Sequence, residues 1–129
     1  MRHRFKPGRR RQHVKGEMNS TEKAYSEHLE GLRLQGLIHG WQFEPIKLRL
    51  ADLTYYSPDF MVQAFDETIE LHEVKACMKN GKFLFEDDAR VKIKVAAEMH
   101  PVFAFIVAGK LPKASGGGWK FEVISKGGI

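Results

Sequence analysis

The chain has 129 residues, 43% of them hydrophobic and 29% charged, and a formal net charge of +5 at neutral pH. This is the composition of one ordinary globular domain with a modest core, and it excludes a fibrous or wholly disordered protein. The single cysteine, Cys77, excludes an intramolecular disulfide framework, and no CxxC or CxxC…HxxxH spacing offers a structural zinc site, so a reducing, cytoplasmic setting is expected.

No apolar run approaches the roughly 18 residues needed to span a bilayer. The basic N-terminus also lacks the apolar segment of a secretory signal, so a soluble chain with no membrane partner is expected. Charge is unevenly spread. Residues 1–15 hold seven Arg or Lys and no acid, which leaves fourteen of the 21 cations to face all sixteen acids in the rest of the chain. Pro7, Gly8 and Gly16 interrupt this run and no apolar periodicity organises it, so 1–16 is expected to be a flexible basic arm ahead of a single domain over 17–129. Arg2, Arg4, Arg9, Arg10, Arg11 and Lys15 give the arm a nucleic-acid footprint, since each neutralised phosphate releases counterions. A solubilising tail is the other reading of the same residues.

From Asn19 the pattern becomes helical. Asn19 or Ser20 supplies an N-cap, Glu22 an acid in the first turn, and the helix is expected to end near Gly36. Glu22, Tyr25, Leu29 and Leu32 fall on one face, which sets Glu22 on or beside the core stripe. Three strand segments follow, "WQFEPIKLRL", "TYYSPDFMVQAF" and "TIELHEVKA", with short breaks at Asp52-Leu53 and Asp66-Glu67 that predict an antiparallel meander. A loop, "CMKNGKFLFEDD", leads to a second helix over about 87–100, ended by His100-Pro101. Then come the apolar strand "VFAFIVAG", a glycine-rich linker and a last strand, "WKFEVI". A crossover through the second helix implies at least one parallel strand pair, hence an α/β domain with a mixed sheet.

Within the third strand segment Ile69, Leu71, Glu73 and Lys75 share one face, while Glu70, His72 and Val74 share the other. Two ionisable groups thus end the more apolar row, and buried charge persists only where it is paired, bound to a metal or placed at an opening. If the segments bearing Asp59 and Glu73 form a hairpin, their carboxylates converge on one cation. Hard oxygen ligands, completed by a backbone carbonyl and waters, suit Mg²⁺ or Mn²⁺ rather than zinc. Lys75, two residues beyond Glu73, can orient a water and offset charge developing on a phosphate oxygen.

Pro58-Asp59 followed by Glu73-Val74-Lys75 resembles the PD-(D/E)XK signature of the restriction-endonuclease-like superfamily. The resemblance covers approximately residues 19–108. The segments "NSTEKAYSEHLE", "LRLADLTYYSPDF", "ELHEVKA" and "DDARVKIKVAAEMHP" also resemble small phage and prophage proteins assigned to that superfamily. It implies an αβββαβ core and a Mg-dependent deoxyribonuclease acting in a bacterial or phage-infected cytoplasm, with no organic cofactor. Asp59 and Glu73 would be the metal-binding acids, Val74 would lend its carbonyl, Lys75 would be the catalytic lysine and Glu22 the helix-borne accessory acid.

On the second helix the apolar arc is expected to run from Val95 through Met99, Ala96 and Ala89 to Ala97, with Lys92 inside it. There Lys92 reaches toward the acidic site, as an accessory lysine does in some superfamily members, or snorkels to solvent. Lys79, Lys82, Arg90 and Lys94 could track a phosphate backbone or form a solvated face. Tyr55 and Tyr56 are read as core residues or as stacking surfaces for bases, and Cys77 as a buried apolar residue.

DNA is the expected partner. Sequence-specific reading by so small a domain would need a homodimer or another chain, and analogy with small junction resolvases points to branched DNA. The rivals are a non-catalytic nucleic-acid-binding module and a structural subunit of a phage DNA-processing assembly that pairs through its last strand.

Overall fold

The computed structural model describes residues 16–85 and 87–128. The basic-arm residues Arg2, Arg4, Arg9, Arg10, Arg11 and Lys15 lie outside them. Helix α1 (Ser20–Leu34) starts where the sequence places it, at a capping box: Asn19 Oδ1 accepts from Glu22 N–H at 2.8 Å, and Glu22 Oε1 accepts from Asn19 N–H at 2.9 Å. Such a cap stabilises a helix by about 1 kcal/mol. Seven strands and a second helix follow: β1 (Ile38–Phe43), β2 (Leu48–Ala51), β3 (Thr54–Tyr56), β4 (Phe60–Ala64), β5 (Ile69–Ala76), α2 (Asp87–Met99), β6 (Ala104–Lys110) and β7 (Trp119–Ser125).

Five strands form one mixed sheet in the order β1-β4-β5-β6-β7, so the class is α/β. The pairs β1–β4, β4–β5 and β6–β7 are antiparallel, and β5–β6, joined through α2, is parallel as the crossover requires. The simple three-strand meander is not what forms. The first expected segment divides at Glu44-Pro45, where Glu44 has φ 47 and Pro45 has no N–H to donate to a ladder. The second divides at Ser57-Pro58, where Pro58 likewise has no N–H to donate. The pieces on the inner side of these breaks, β2 and β3, pair with each other as a separate hairpin turned by Asp52-Leu53, and β1 begins upstream to take the place beside β4. Without that hairpin the order of elements reads αβββαβ, with β7 added.

The sheet is covered on both sides. Tyr25 and Leu29 of α1 pack on Phe60, Val62, Val74 and Ala108, while Ile93 and Ala96 of α2, with Leu48, Leu50 and Tyr56 of the hairpin, pack on Leu71, Phe105 and Val107. Gly109 on β6 lets the loop after β5 lie flat on the sheet, since a Cβ there would collide with Cys77 Sγ and the Phe83 ring.

The buried face of α2 is rotated from the expected one. Ile93 and Ala96 are buried and Ala89 and Ala97 partly so, whereas Val91, Val95 and Met99 are exposed. Three alanines let the helix backbone approach the sheet closely, and the bulkier residues turn outward. Lys92, expected inside the apolar arc, is consequently exposed.

Candidate active site

Strand β5 runs through the middle of the sheet, and its alternation sends Leu71, Glu73 and Lys75 toward α2 and His72 and Val74 toward α1. The β4–β5 register pairs Phe60 with His72, so the next residue back along β4, Asp59, stands across from Glu73. Buried Pro58 closes the ladder at that point. Beyond it Val74 has no backbone partner from β4, and its N–H donates instead to Asp59 Oδ2 at 2.8 Å. The Val74 carbonyl points to the same side by the geometry of the strand. The Asp59 backbone is held in turn, its carbonyl accepting from Glu44 N–H at 2.9 Å.

Both oxygens of Glu73 are engaged. Tyr56 O–H donates to Oε1 at 2.8 Å, and Lys75 Nζ lies 3.3 Å from Oε2. The Glu73 side chain is 14% exposed and that of Lys75 28%. Phe85 forms a wall for the lysine, with Lys75 Nζ 5.3 Å from the ring centroid and the Arg90 guanidinium 4.6 Å from the same ring. Arg90 is committed besides to Glu122 on β7, at 3.0 and 3.2 Å.

Burial first, and the Glu73 carboxylate second, push the Asp59 carboxyl well above its ordinary range, against the opposing pull of the Val74 N–H and Lys75. Glu73 is also raised, chiefly by burial, although Lys75 and the Tyr56 hydroxyl favour its charged form. The Tyr56 phenol is driven well up by burial and by Glu73. Glu22, on α1, is buried and lies near enough to raise both acids. Asp59 and Glu73 therefore share one lysine, and burial disfavours the charged form of both. In this respect the donor set, all carboxylates plus a carbonyl, fits a hard divalent ion such as Mg²⁺ or Mn²⁺. Against a preformed cage, no three His, Cys, Asp or Glu side chains among the described residues converge on a single metal position.

The structure thus brings Asp59, Glu73, Val74 and Lys75 together with Glu22 nearby, and gives Glu22 a second task as the capping-box partner of Asn19. Lys92 is not brought in: it is exposed on α2 and, among the described residues, its ammonium has no hydrogen-bond or ion-pair partner. Lys79, Lys82 and Lys94 are exposed. Lys82, Phe83, Phe85, Arg90 and Lys120 line an open groove of about 520 Å³, together with Asp87 and Glu122.

No match to this chain was found among protein-family models, curated proteins or solved structures.

Sequence reasoning did not find the partnership of Tyr56 with Glu73. The signal was present in the alternation of Leu48, Leu50 and Tyr56, three buried residues facing one core, once the hairpin between them is seen. Phe85 was also missed, because nothing in an irregular loop marks which aromatic folds back. On the opposite face of β5 a second polar chain is buried. Tyr25 O–H lies 2.6 Å from His72 Nδ1, and His72 Nε2 lies 2.8 Å from Glu70 Oε1. A carboxylate can only accept, so Nε2–H donates to Glu70, and in the neutral ring this leaves Nδ1 to accept from the tyrosine hydroxyl. Among the described residues every buried side-chain nitrogen and oxygen has a partner.

Proposed function

We propose that this chain is a metal-dependent endonuclease of the PD-(D/E)XK kind, with a restriction-endonuclease-like core, that hydrolyses DNA phosphodiester bonds. The observation that supports it most is the meeting of Asp59 and Glu73 across the β4–β5 hairpin, with Lys75 as the cation beside them. Asp59, Glu73 and the Val74 carbonyl would hold Mg²⁺ or Mn²⁺, with Glu22 as an accessory acid. Such an ion, when bound, would supply an activated water and offset the charge that develops on the phosphate oxygens.

The protein groups have separable tasks in this reading. Tyr56 and the Val74 N–H fix one oxygen each of Glu73 and Asp59, so the acids are positioned before substrate arrives. Lys75, walled by Phe85, presents a positive charge to the scissile phosphate and to the attacking water. Lys82, on the open groove next to Phe85, contacts the phosphate backbone, and the basic N-terminal arm adds sequence-independent affinity. Branched DNA in a bacterial or phage-infected cytoplasm is the substrate most in keeping with so small a surface.

The deciding experiment is cleavage of labelled duplex, single-stranded and four-way-junction DNA with Mg²⁺ or Mn²⁺. Wild type is expected to cut, and Glu73→Ala and Lys75→Ala to bind without cutting. Binding by wild type with no cleavage under any of these conditions would sink the proposal. That outcome would favour a non-catalytic nucleic-acid-binding module.

A further inference from the structure

Strand β7 ends one side of the five-stranded sheet, and no strand among the described residues pairs with its outer edge. Its ladder with β6 determines which of its groups are free. Leu111 N–H donates to Gly118 C=O at 2.9 Å, and the register continues with Lys110 opposite Trp119, Gly109 opposite Lys120, Ala108 opposite Phe121 and Val107 opposite Glu122. Bonded and non-bonded pairs alternate in an antiparallel ladder, so Lys120 and Glu122 direct their backbone groups to β6. Trp119, Phe121 and Val123 turn theirs outward.

These three side chains also share the sheet face on which α1 packs, and α1 does not cover them fully: Phe121 is 48% exposed and Val123 55%. Trp119 packs on Tyr25 of α1, with ring centroids 4.8 Å apart, whereas a groove of about 220 Å³ separates Phe121 and Val123 from α1, lined by His28, Leu32 and Ile106 as well. An exposed edge with outward-facing aromatic and branched residues is a pairing surface unless something blunts it.

We propose that this edge pairs with β7 of a second copy of the chain, antiparallel, with Phe121 opposite the partner's Phe121. At this register every outward N–H and C=O is used, Phe121 bonding the partner's Phe121, and Trp119 and Val123 bonding the partner's Val123 and Trp119. On the other sheet face Lys120 stands opposite the partner's Glu122, and Glu122 opposite the partner's Lys120. These are the non-bonded positions, where side chains approach most closely. Neighbouring registers lose this complementarity: a two-fold axis at Glu122 sets carboxylate against carboxylate, and one at Val123 sets Lys120 against the partner's Lys126. Phe121 meets its own copy over the axis, and the apolar face that α1 leaves open is closed.

The pairing stands apart from the nuclease reading, and only one consequence rests on it. Glu73, Val107 and Glu122 are register partners, so both candidate sites would lie level with the two-fold axis on one face of a joined sheet. Five strand spacings, about 24 Å measured along the sheet, would separate them.

The test is light scattering after size exclusion on the full chain, together with two variants and no cleavage readout. Wild type is expected to be a dimer at high micromolar loading. Phe121→Pro removes an outward N–H without touching the bonds to β6, and is expected to give a monomer with unchanged circular dichroism. Phe121→Cys places two Cα atoms about 5.5 Å apart and is expected to form a disulfide-linked dimer with oxidised glutathione. Leu34→Cys, at the exposed end of α1, is not. A monomeric wild type, a Phe121→Pro chain that remains dimeric, or no cross-link from Phe121→Cys overturns the proposal. Should Phe121→Pro unfold, the cross-link decides.

Discussion

Replacing Tyr56 by phenylalanine isolates the contribution of one hydroxyl to the candidate site. The ring is 6% exposed and stays in place against Leu48, Leu50 and Phe105, while the 2.8 Å donor to Glu73 Oε1 is lost. A hydrogen bond to an ionised acceptor contributes about 1.5–3 kcal/mol, against about 0.5–1.5 kcal/mol for a neutral one. The difference, about 1–1.5 kcal/mol, corresponds to roughly one pKa unit. Glu73 already titrates above its ordinary range because burial disfavours its charged form, and the Tyr56 hydroxyl is one of the groups that restrain the rise. Its removal therefore raises the Glu73 carboxyl further.

The sign of the pH dependence follows from linkage. A carboxyl raised in the folded state binds more protons there than in the unfolded chain, so stability falls as pH rises from the unfolded value through the folded one. The Tyr56→Phe deficit is then small in acid, where Glu73 is protonated in both states, and grows toward neutral pH by about 1–1.5 kcal/mol. Urea denaturation of both proteins at several pH values, with carbon-13 detection of the glutamate carboxyls, measures both quantities. A deficit that is constant with pH, or a Glu73 titration that does not move upward, would refute the argument.

Asp59→Asn keeps an oxygen for the Val74 N–H and removes a buried charge that burial and Glu73 oppose. It is expected to melt a few degrees higher than wild type near pH 8, to lose that advantage toward pH 4, and to gain no thermal stability from added Mg²⁺, all read by calorimetry. Gly109→Ala drives a methyl into Cys77 and Phe83, and should cost about 1–3 kcal/mol in denaturant titrations, as overpacking does. Tyr25→Phe strands His72 Nδ1 without its donor inside the core, with an expected loss of about 1–3 kcal/mol by the same measurement and no change in DNA binding by gel shift. Lys92→Ala, at an exposed position, is expected to leave any cleavage rate within about twofold of wild type, whereas Lys75→Ala abolishes it.

Helices α1 and α2 and strands β5, β6 and β7 were legible because each carries its own periodicity or cap. Strand β1 was only partly so, since "IHGWQF" includes Gly40 and no regular alternation, and its position is fixed by pairing with β4. The breaks at Pro45 and Pro58 were visible as letters, but which pieces pair across them depends on contacts distant in sequence. The orientation of α2 was misjudged because hydrophobicity weights Val95 and Met99 over alanine, while close packing on a sheet favours the smaller residue. At the site, Asp59, Glu73 and Lys75 could be placed from strand alternation and one hairpin alone. Tyr56 reaches Glu73 only through the separate hairpin, and Glu22 showed its acid without revealing that Asn19 binds it.

Strand β5 is fastened on both faces, by Tyr56 and Lys75 on Glu73 toward α2 and by Tyr25 and Glu70 on His72 toward α1. Adding or deleting one residue between Ile69 and Lys75 would exchange these faces and set each polar chain against the wrong helix. The strand can therefore vary by substitution but not by length. Insertions such as a fluorescent tag or a fused domain belong instead at the Asp66-Glu67 turn or the glycine-rich turn at 116–118, where the backbone already reverses.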